Sequence, residues 1–261
     1  MPRFTRDDLL ACPPGTGVRV AIVDSGVAPA VLGAGAERRS FRVRARGVLT
    51  AVEACAPGDV SHHGTAVASI VRAVAADVEL TSVRVVDDEG RGSATALRAA
   101  LEFCVRQRFD VVNLSLGTRR REVLLDLYEL VDQAAVAGVV CVSATDNGGL
   151  PDYPSACTSL IAVDRLDHPD PFALQYRVGH RVAFLARGQD VEVGAPDGGR
   201  RLVSGASFAC PHVTGFAARL RAAHPGLLPF AVKTALHALS VAPLAGSSVP
   251  LCLPNVASVP A

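Results

Sequence analysis

The chain has 261 residues, of which 49% are hydrophobic and 20% charged, and its formal net charge is +1. The balanced charge, the 5% of aromatic residues and the single lysine, Lys233, exclude the dense basic surface of a nucleic-acid-binding protein. No apolar run in the sequence is long enough to span a membrane. We therefore expect neither nucleic acid nor a membrane as a partner.

Strand-like and helix-like patterns alternate along most of the chain. Apolar, β-branched runs predict strands over residues 18–23, 80–86, 110–114, 138–143 and 159–163. Apolar residues spaced by three and four predict helices over 64–75, 93–107 and 122–137, from 207 onward and over 229–239. Residues 172–203 change to short strand-like pieces. The alternation predicts an α/β fold in three layers, with a mostly parallel central sheet flanked by helices.

The domain organisation is predicted to be simple. The sequence shows no linker and no internal repeat. Residues 18–261 are therefore expected to form one domain, preceded by a short N-terminal extension, residues 1–17.

One serine stands between a small-residue turn and an apolar helical pattern, in the string SGASFACPHVTG, residues 204–215. Ser207 is therefore predicted to lie at a helix N-terminus, where free backbone N–H groups favour a developing negative charge. A serine hydroxyl is a weak nucleophile unless a base activates it. Taken alone, the string leaves two interpretations open, because Ser207 could be a nucleophile or an N-cap residue.

Two further strings place an acid and a base at the ends of elements. In VRVAIVDSGVAP, residues 18–29, a buried strand is predicted to end at Asp24. In SHHGTAVASIV, residues 61–71, His62 and His63 precede a glycine and a helical pattern. Asp, His and Ser are the residue types of an acyl-transfer triad, in which a carboxylate orients a histidine base that activates a serine.

The strings AIVDSG, HGT and SGASFACPHVTG resemble the three catalytic motifs of the subtilisin-like serine proteases, the subtilases. They occur in the family's order and are spread over residues 18–220. The resemblance implies a subtilisin-like fold and a serine endopeptidase in which Asp24 orients, His63 is the base and Ser207 attacks. His63 is preferred to His62 because the family's histidine directly precedes Gly-Thr. The resemblance implies no cofactor.

A fourth segment, GVVCVSATDNGG, residues 138–149, resembles the family's strand that ends in an oxyanion-hole asparagine. Asn147 would donate its amide to the tetrahedral intermediate, beside the backbone N–H of Ser207. The family usually has glycine before this asparagine, whereas this chain has Asp146. A side chain at that place would narrow the pocket or add charge.

Two segments resemble the family's substrate-binding segments, which pair with a peptide or protein substrate in extended conformation. Their residues are Ser115, Leu116 and Gly117, which would form one pocket wall, and Gly90, Arg91 and Gly92, which would lie opposite. The acidic cluster 87–89 precedes the second segment. It either adds negative charge to the cleft or forms a solvated turn.

A specificity residue follows from aligning LPDYPSACTSLIAV, residues 150–163, with the family's tyrosine-proline segment. The alignment places Asp152 at the base of the primary specificity pocket. A carboxylate there would select Arg or Lys before the scissile bond, as a buried aspartate does in trypsin, and Asp146 and the 87–89 cluster would add negative charge. The alternative is a turn aspartate beside Pro151, because Asp is a favoured turn residue.

The seven cysteines are odd in number and lack paired metal-ligand spacing, so they predict reduced thiols and no metal. The N-terminal residues show no signal-peptide layout and leave no room for the propeptide of secreted relatives, so we expect a cytoplasmic enzyme. Residues 64–80 lack the calcium-binding insertion that relatives often carry, and that site is expected to be absent. Residues 251–257 resemble the family's closing segment and are expected to pack.

The predicted function is hydrolysis of peptide bonds. A cytoplasmic protease needs a selective cleft, so a precursor or leader peptide is the expected substrate, and general protein turnover is the competing role. Two other classes share the scaffold. A peptide transpeptidase or macrocyclase would carry insertions over the cleft, which the sequence lacks, and the four catalytic residue types argue against a non-catalytic peptide-binding module. The oligomeric state is not predicted.

Overall fold

A computed structural model of the protein describes residues 5–46, 49–148, 150–177, 183–195 and 199–240. The predicted closing segment, residues 251–257, lies outside the described residues. The helices are α1 (Arg6–Ala11), α2 (Pro29–Leu32), α3 (His63–Val74), α4 (Ala94–Arg106), α5 (Leu124–Val136), α6 (Ala206–Ala223) and α7 (Pro229–Ser240).

The strands are β1 (Arg19–Asp24), β2 (Gly26–Val27), β3 (Ser40–Arg46), β4 (Leu49–Ala54), β5 (Gly58–Asp59), β6 (Glu79–Arg84), β7 (Val111–Leu114), β8 (Val140–Ala144), β9 (Ile161–Leu166), β10 (Leu174–Arg177), β11 (Ala183–Arg187), β12 (Val191–Gly194) and β13 (Arg200–Val203). The strands and helices predicted from periodicity are confirmed, with ends that differ by a few residues. The described part of region 172–203 contains four short strands, as expected.

A nine-stranded sheet forms the centre of the described part of the chain, in the order β10-β11-β9-β8-β7-β1-β6-β3-β4. The strands from β11 to β3 run parallel, and an antiparallel strand closes each edge. The carboxyl ends of the parallel strands therefore share one edge of the sheet, which is where ligands bind in such folds.

Two hydrophobic cores cover the two faces of this sheet, because side chains alternate along each strand. Along β1, Val20 and Ile22 face one core, Ala21 and Val23 face the other, and all four are fully buried. Helices α3, α6 and α7 pack on the first face, and α4 and α5 pack on the second. The protein is a three-layer α/β fold with a mostly parallel central sheet.

Helix α1 lies in the segment predicted to be an extension. Its Leu9 is fully buried in the core, and the guanidinium of Arg219 in α6 donates to the backbone oxygens of Leu9 and Leu10. The described residues 5–17 therefore pack on the domain. Arg219 lies twelve residues after Ser207, about 18 Å along the helix axis, so α1 packs far from the predicted nucleophile.

The hairpin of β3 and β4 is a second element that periodicity does not predict. Arg42 and Arg44 interrupt the apolar residues of β3, and both donate to Glu53 on β4. The opposite side of β3 carries Phe41, whose ring packs against Phe103 of α4 at a centroid distance of 5.0 Å. The hairpin thus covers one edge of the sheet with charged side chains, a common protection of edge strands.

Helix α6 is held close to α3 by a small residue. A Cβ on Gly215 would lie 2.6 Å from the Cβ of Val74, a distance that real Cβ atoms do not adopt. Glycine therefore lets the two helices touch along their backbones. This contact, together with packing on β7, β8 and β9, places the N-terminus of α6 at the carboxyl edge of the sheet.

Candidate active site

Asp24 and His63 form a close pair of acid and base. Asp24 ends β1 and His63 begins α3. The imidazole Nδ1 lies 2.8 Å from Asp24 Oδ1 and 3.0 Å from Oδ2. The Asp24 side chain is 3% exposed, whereas the His63 side chain is 31% exposed. A buried carboxylate thus orients an accessible ring, as the sequence predicts for a general base.

Two glycines permit this contact. A Cβ on Gly64 would lie 2.1 Å from the carbonyl oxygen of Gly26 and 3.0 Å from the Cβ of Asp24. Gly26 has a φ of 110°, a conformation that side chains other than that of glycine rarely allow. The glycines of the DSG and HGT strings therefore let the start of α3 reach the end of β1.

A second carboxylate, Asp59, joins the two elements that carry this pair. Its Oδ1 accepts from the Ser25 hydroxyl at 2.7 Å and from the backbone N–H of His62 at 2.9 Å. Its Oδ2 accepts from the N–H and the hydroxyl of Thr65 at 2.7 and 2.6 Å. The hydroxyl of Ser25 in turn accepts from the N–H of Gly64. The sequence motifs did not single out Asp59, although an acidic residue shortly before a helix was an available signal.

The charges around His63 favour its protonated form. Burial of the ring opposes protonation, but the hydrogen bond and the charge of Asp24 outweigh it and raise the pKa of His63, with help from Asp59. Arg201 of β13 acts in the opposite direction. The structure therefore holds a basic imidazole, which is well suited to take a proton from a hydroxyl.

Ser207 lies at the N-terminus of α6, as predicted. It is the second residue of the helix, and the N-cap is Gly205, so the interpretation of Ser207 as an N-cap residue is wrong. The ring of the next residue, Phe208, contacts the His63 ring at a centroid distance of 5.1 Å. Within the described residues the His63 ring bonds only to Asp24, and catalytic hydrogen bonds commonly tighten only when substrate binds.

Asn147 and Gly205 surround the space beside the Ser207 hydroxyl. The side-chain Oδ1 of Asn147 accepts from the N–H of Ala206 at 2.9 Å, so its NH₂ group is the one available to donate. A Cβ on Gly205 would lie 3.4 Å from Asn147 Oδ1 and 3.5 Å from Ser207 Oγ. The absence of a side chain at Gly205 keeps this space open, and the placement fits the predicted oxyanion hole.

A cavity of about 570 Å³ separates the two predicted substrate-binding segments. Its apolar lining includes Val85, Val86, Leu97, Leu116 and Val123, its glycines are Gly92 and Gly117, and Arg120 and Glu122 also contribute. Leu116, Gly117 and Gly92 of the two predicted substrate-binding segments thus line one cavity, whereas Gly90 and Arg91 are not among its lining residues. The hydroxyl of Ser115 is instead buried and donates to the carbonyl oxygen of Ser207 at 2.9 Å.

The three acids of the turn before Gly92 are paired with two arginines, which offset most of their charge. Arg91 bonds to Asp87 at 2.9 Å and to Glu89 at 3.0 Å, and Arg84 bonds to Asp88 at 2.9 Å. Gly90 has a φ of 78° within this turn. The geometry favours the solvated turn over a negatively charged wall, because each acid has an arginine partner.

Asp146 is also paired. Its Oδ1 accepts from Arg119, and its Oδ2 accepts from the N–H groups of Gly148 and Leu150 at 2.9 and 3.2 Å. Burial opposes ionisation, but these hydrogen bonds outweigh it and lower the pKa of the carboxyl. Asp146 therefore shapes the loop after Asn147, and Arg119 offsets the charge that the sequence analysis expected it to add.

Asp152 lies against the predicted pocket wall. It is 7% exposed, and its Oδ1 accepts from the hydroxyl of Ser155. A Cβ on Gly117 would lie 2.2 Å from Asp152 Oδ2, so only glycine fits opposite the carboxylate. The structure brings Asp152 and Gly117 together, and Asp152 is more than a solvated turn residue.

The structure also places two other residues that the sequence singles out, His62 and Cys210. His62 is exposed and has a φ of 61° at the start of α3. Cys210 is fully buried, and burial raises the pKa of its thiol to about 12, so it is not a competing nucleophile.

No group of three or more His, Cys, Asp or Glu side chains in the described part could hold a metal ion. No described helix is long and apolar enough to cross a membrane.

The sequence model of the Subtilase family matches residues 15–240, which is most of the chain. This chain belongs to the subtilase family. Subtilisin DY from Bacillus licheniformis is 30% identical over 237 residues, covering 85% of this chain and 83% of that protein. Subtilisin NAT from Bacillus subtilis subsp. natto and alkaline elastase YaB from Bacillus sp. (strain YaB) are both 29% identical and cover 81% of this chain.

Solved structures share the subtilase fold of this chain. A cold adapted subtilisin-like serine proteinase has a TM-score of 0.65 at 24% identity, covering 85% of this chain and 81% of its own. Sphericase has a TM-score of 0.66 at 24% identity, covering 84% and 82%. The chain spans only 57% of the length of subtilisin NAT and 56% of that of the alkaline elastase.

A buried histidine in α6 gives a testable pH dependence. His212 is 3% exposed, and burial lowers its pKa to about 4 from an ordinary value of 6.5, against the opposing hydrogen bond to Phe208 O at 3.0 Å. Between pH 4 and pH 6.5 the unfolded state binds more protons than the folded state. His212 therefore contributes fully to the free energy of unfolding above pH 6.5, and this contribution is lost as the pH falls to 4. The contribution is about 3 kcal/mol.

We expect the variant His212→Asn, whose amide can still donate to the Phe208 carbonyl, to lose this dependence. The free energy of unfolding, measured by denaturant titration at several pH values, should fall between pH 6.5 and 4 less steeply in the variant than in the wild type. If the free energy of unfolding fell equally steeply with pH in both proteins, His212 would not be the group responsible, even if the two proteins differed in stability by a constant amount.

Proposed function

We propose that this chain is a serine endopeptidase that cleaves peptide bonds through a covalent acyl-enzyme. The contact of Asp24 with His63, beside the helix that begins next to Ser207, is the observation that carries the proposal. Membership of the subtilase family supports it. The names of relatives, such as alkaline elastase YaB, agree with a proteolytic role.

In the proposed reaction, Nε2 of His63 takes the proton of the Ser207 hydroxyl while Ser207 Oγ attacks the carbonyl carbon of the substrate. Asp24 holds Nδ1 and stabilises the imidazolium that forms. The amide of Asn147 and the backbone N–H of Ser207 bind the oxyanion, and such a donor contributes roughly a hundred- to thousandfold in rate, a magnitude known from a subtilisin. His63 then protonates the leaving amine, and water hydrolyses the ester by the same route.

The variant Ser207→Ala should abolish turnover, because no hydroxyl remains to form the ester. The test is mass spectrometry of cleavage sites in a peptide library incubated with each protein. Asn147→Ala should keep the cleavage sites and lower kcat roughly a hundred- to thousandfold. Cleavage by Ser207→Ala at the wild-type sites would reassign the nucleophile.

The cleavage preference is proposed to be for Arg or Lys before the scissile bond. Asp152 supports this, because a nearly buried carboxylate beside Gly117 gains most from a cationic partner in the pocket. The acidic residues of the 87–89 turn and Asp146 add little to the preference, since arginines pair with them.

We expect Asp152→Ser to reduce the ratio of kcat/KM for Arg over Phe substrates by about tenfold to hundredfold, the value of one charged hydrogen bond. Fluorogenic peptides that differ only in that residue provide the measurement. The matched control is Asp126→Ser on α5, an exposed acid that should leave the ratio unchanged. Faster cleavage after Phe or Leu than after Arg by the wild type would refute the preference.

The physiological substrate is proposed to be a precursor or leader peptide with a basic junction, in the cytoplasm. Six described cysteines are free, which is typical of a reducing compartment, and a basic-selective pocket restricts cleavage to few sites. Incubation with casein and with a precursor peptide separates this role from general turnover. We expect efficient cleavage of the precursor at the basic junction and little digestion of casein, and vigorous casein digestion would contradict the dedicated role.

A further inference from the structure

We infer that Ser115 is a positioning residue. Its hydroxyl binds the backbone carbonyl of Ser207 and so fixes that backbone relative to strand β7, because helix α6 supplies no donor for this carbonyl. The inference rests on the role proposed for Ser207. It concerns the side chain of Ser115, which the sequence analysis treated only as part of a pocket wall.

Pro211 lies inside α6, four residues after Ser207. In an α-helix, the carbonyl of each residue accepts from the N–H four residues further on. The residue four positions after Ser207 is Pro211, which has no N–H, and its ring also crowds the carbonyl that it faces. The carbonyl oxygen of Ser207 is therefore left without its helical donor.

The hydroxyl of Ser115 replaces that donor. Its Oγ donates to the Ser207 carbonyl oxygen at 2.9 Å, across a separation of 92 residues in the chain. Ser115 is 6% exposed, so water does not compete freely for this bond. A partly buried carbonyl without a partner is costly, and the missing helical bond thus leaves room for a bond from the residue that follows β7.

A buried asparagine holds Ser115 in turn. The amide Nδ2 of Asn113 donates to Ser115 Oγ at 2.9 Å, and the hydroxyl of Thr214 donates to Asn113 Oδ1 at 2.8 Å. Asn113 and Thr214 are completely buried. The network begins in α6 at Thr214, passes through β7, and returns to α6 at Ser207.

The network has a consequence for catalysis. Leu116 and Gly117, directly after Ser115, line the cavity where the substrate is proposed to bind. The bond from Ser115 therefore couples the position of the Ser207 backbone to the segment that would hold the substrate. A shift of about 1 Å between two reacting groups can lower the rate a hundredfold.

The test is a double-mutant cycle of Ser115→Ala and Pro211→Ala. Ser115→Ala should lower kcat about tenfold or more with little change in KM, and should lower stability. Pro211→Ala restores an N–H opposite the Ser207 carbonyl, so in the double variant the stability cost of losing the Ser115 hydroxyl should shrink. The low kcat should persist, because the helix and not β7 then sets the position of the serine.

The matched control is Ser40→Ala, which removes another buried serine bond to a carbonyl, that of Ala36 at 2.8 Å. Ser40 begins β3, which is separated from β1 by β6 and contributes no residue to the proposed site. It should lower stability and leave kcat unchanged. Recovery of kcat together with stability in the double variant would overturn the positioning role. Additive stability effects would overturn the pairing itself.

The same set of variants separates this inference from the proposed function. If the wild-type chain cleaves no peptide of the library, the proposed function fails. The unfolding free energies of the four proteins in the cycle then decide whether the Ser115 hydroxyl replaces the missing helical donor. If the wild type is active and Ser115→Ala keeps full kcat, the proposed function stands and the positioning inference fails.

Discussion

The acid and the base of this site can meet only because two backbones approach more closely than side chains would allow. The carbonyl of Gly26 occupies the place where a Cβ of residue 64 would be, at 2.1 Å. This approach sets the start of α3 against the end of β1, and Asp59 and Ser25 fasten it with hydrogen bonds. This arrangement of the main chain places the imidazole of His63 within hydrogen-bonding distance of Asp24.

Helix α6 meets the same sheet edge by a different route. Gly215 lets it touch α3, and the lost N–H of Pro211 leaves its second residue bound to β7 through Ser115. One proposed catalytic group is thus fixed by backbone proximity and the other by the side chain of Ser115, the residue that follows β7. Both depend on residues that are neither acids nor bases.

The fold could be predicted because it leaves local signals, and so could the placement of the proposed triad residues at the ends of elements. Buried parallel strands such as β1 are continuous apolar runs, and the triad residues occur at element ends within short strings. The charge around Asp146 could not be predicted, because the arginine that pairs with it, Arg119, lies 27 residues away in the chain. The arginines of the acidic turn are only four residues from Asp88 and Asp87 and were an available signal. The roles of Asp59 and Asn113 depend on contacts between distant segments, and no periodicity records such contacts.

Pro211 carries a consequence for how this sequence can vary over evolution. While residue 211 is proline, residue 115 must supply a hydroxyl or another short donor, because the partly buried carbonyl of Ser207 depends on it. A lineage that replaces the proline relieves the stability requirement on residue 115, while the requirement from catalysis remains. The effects of these two distant positions on stability are therefore expected to depend on each other, although neither side chain takes part in the chemistry and the link between them is a single main-chain oxygen.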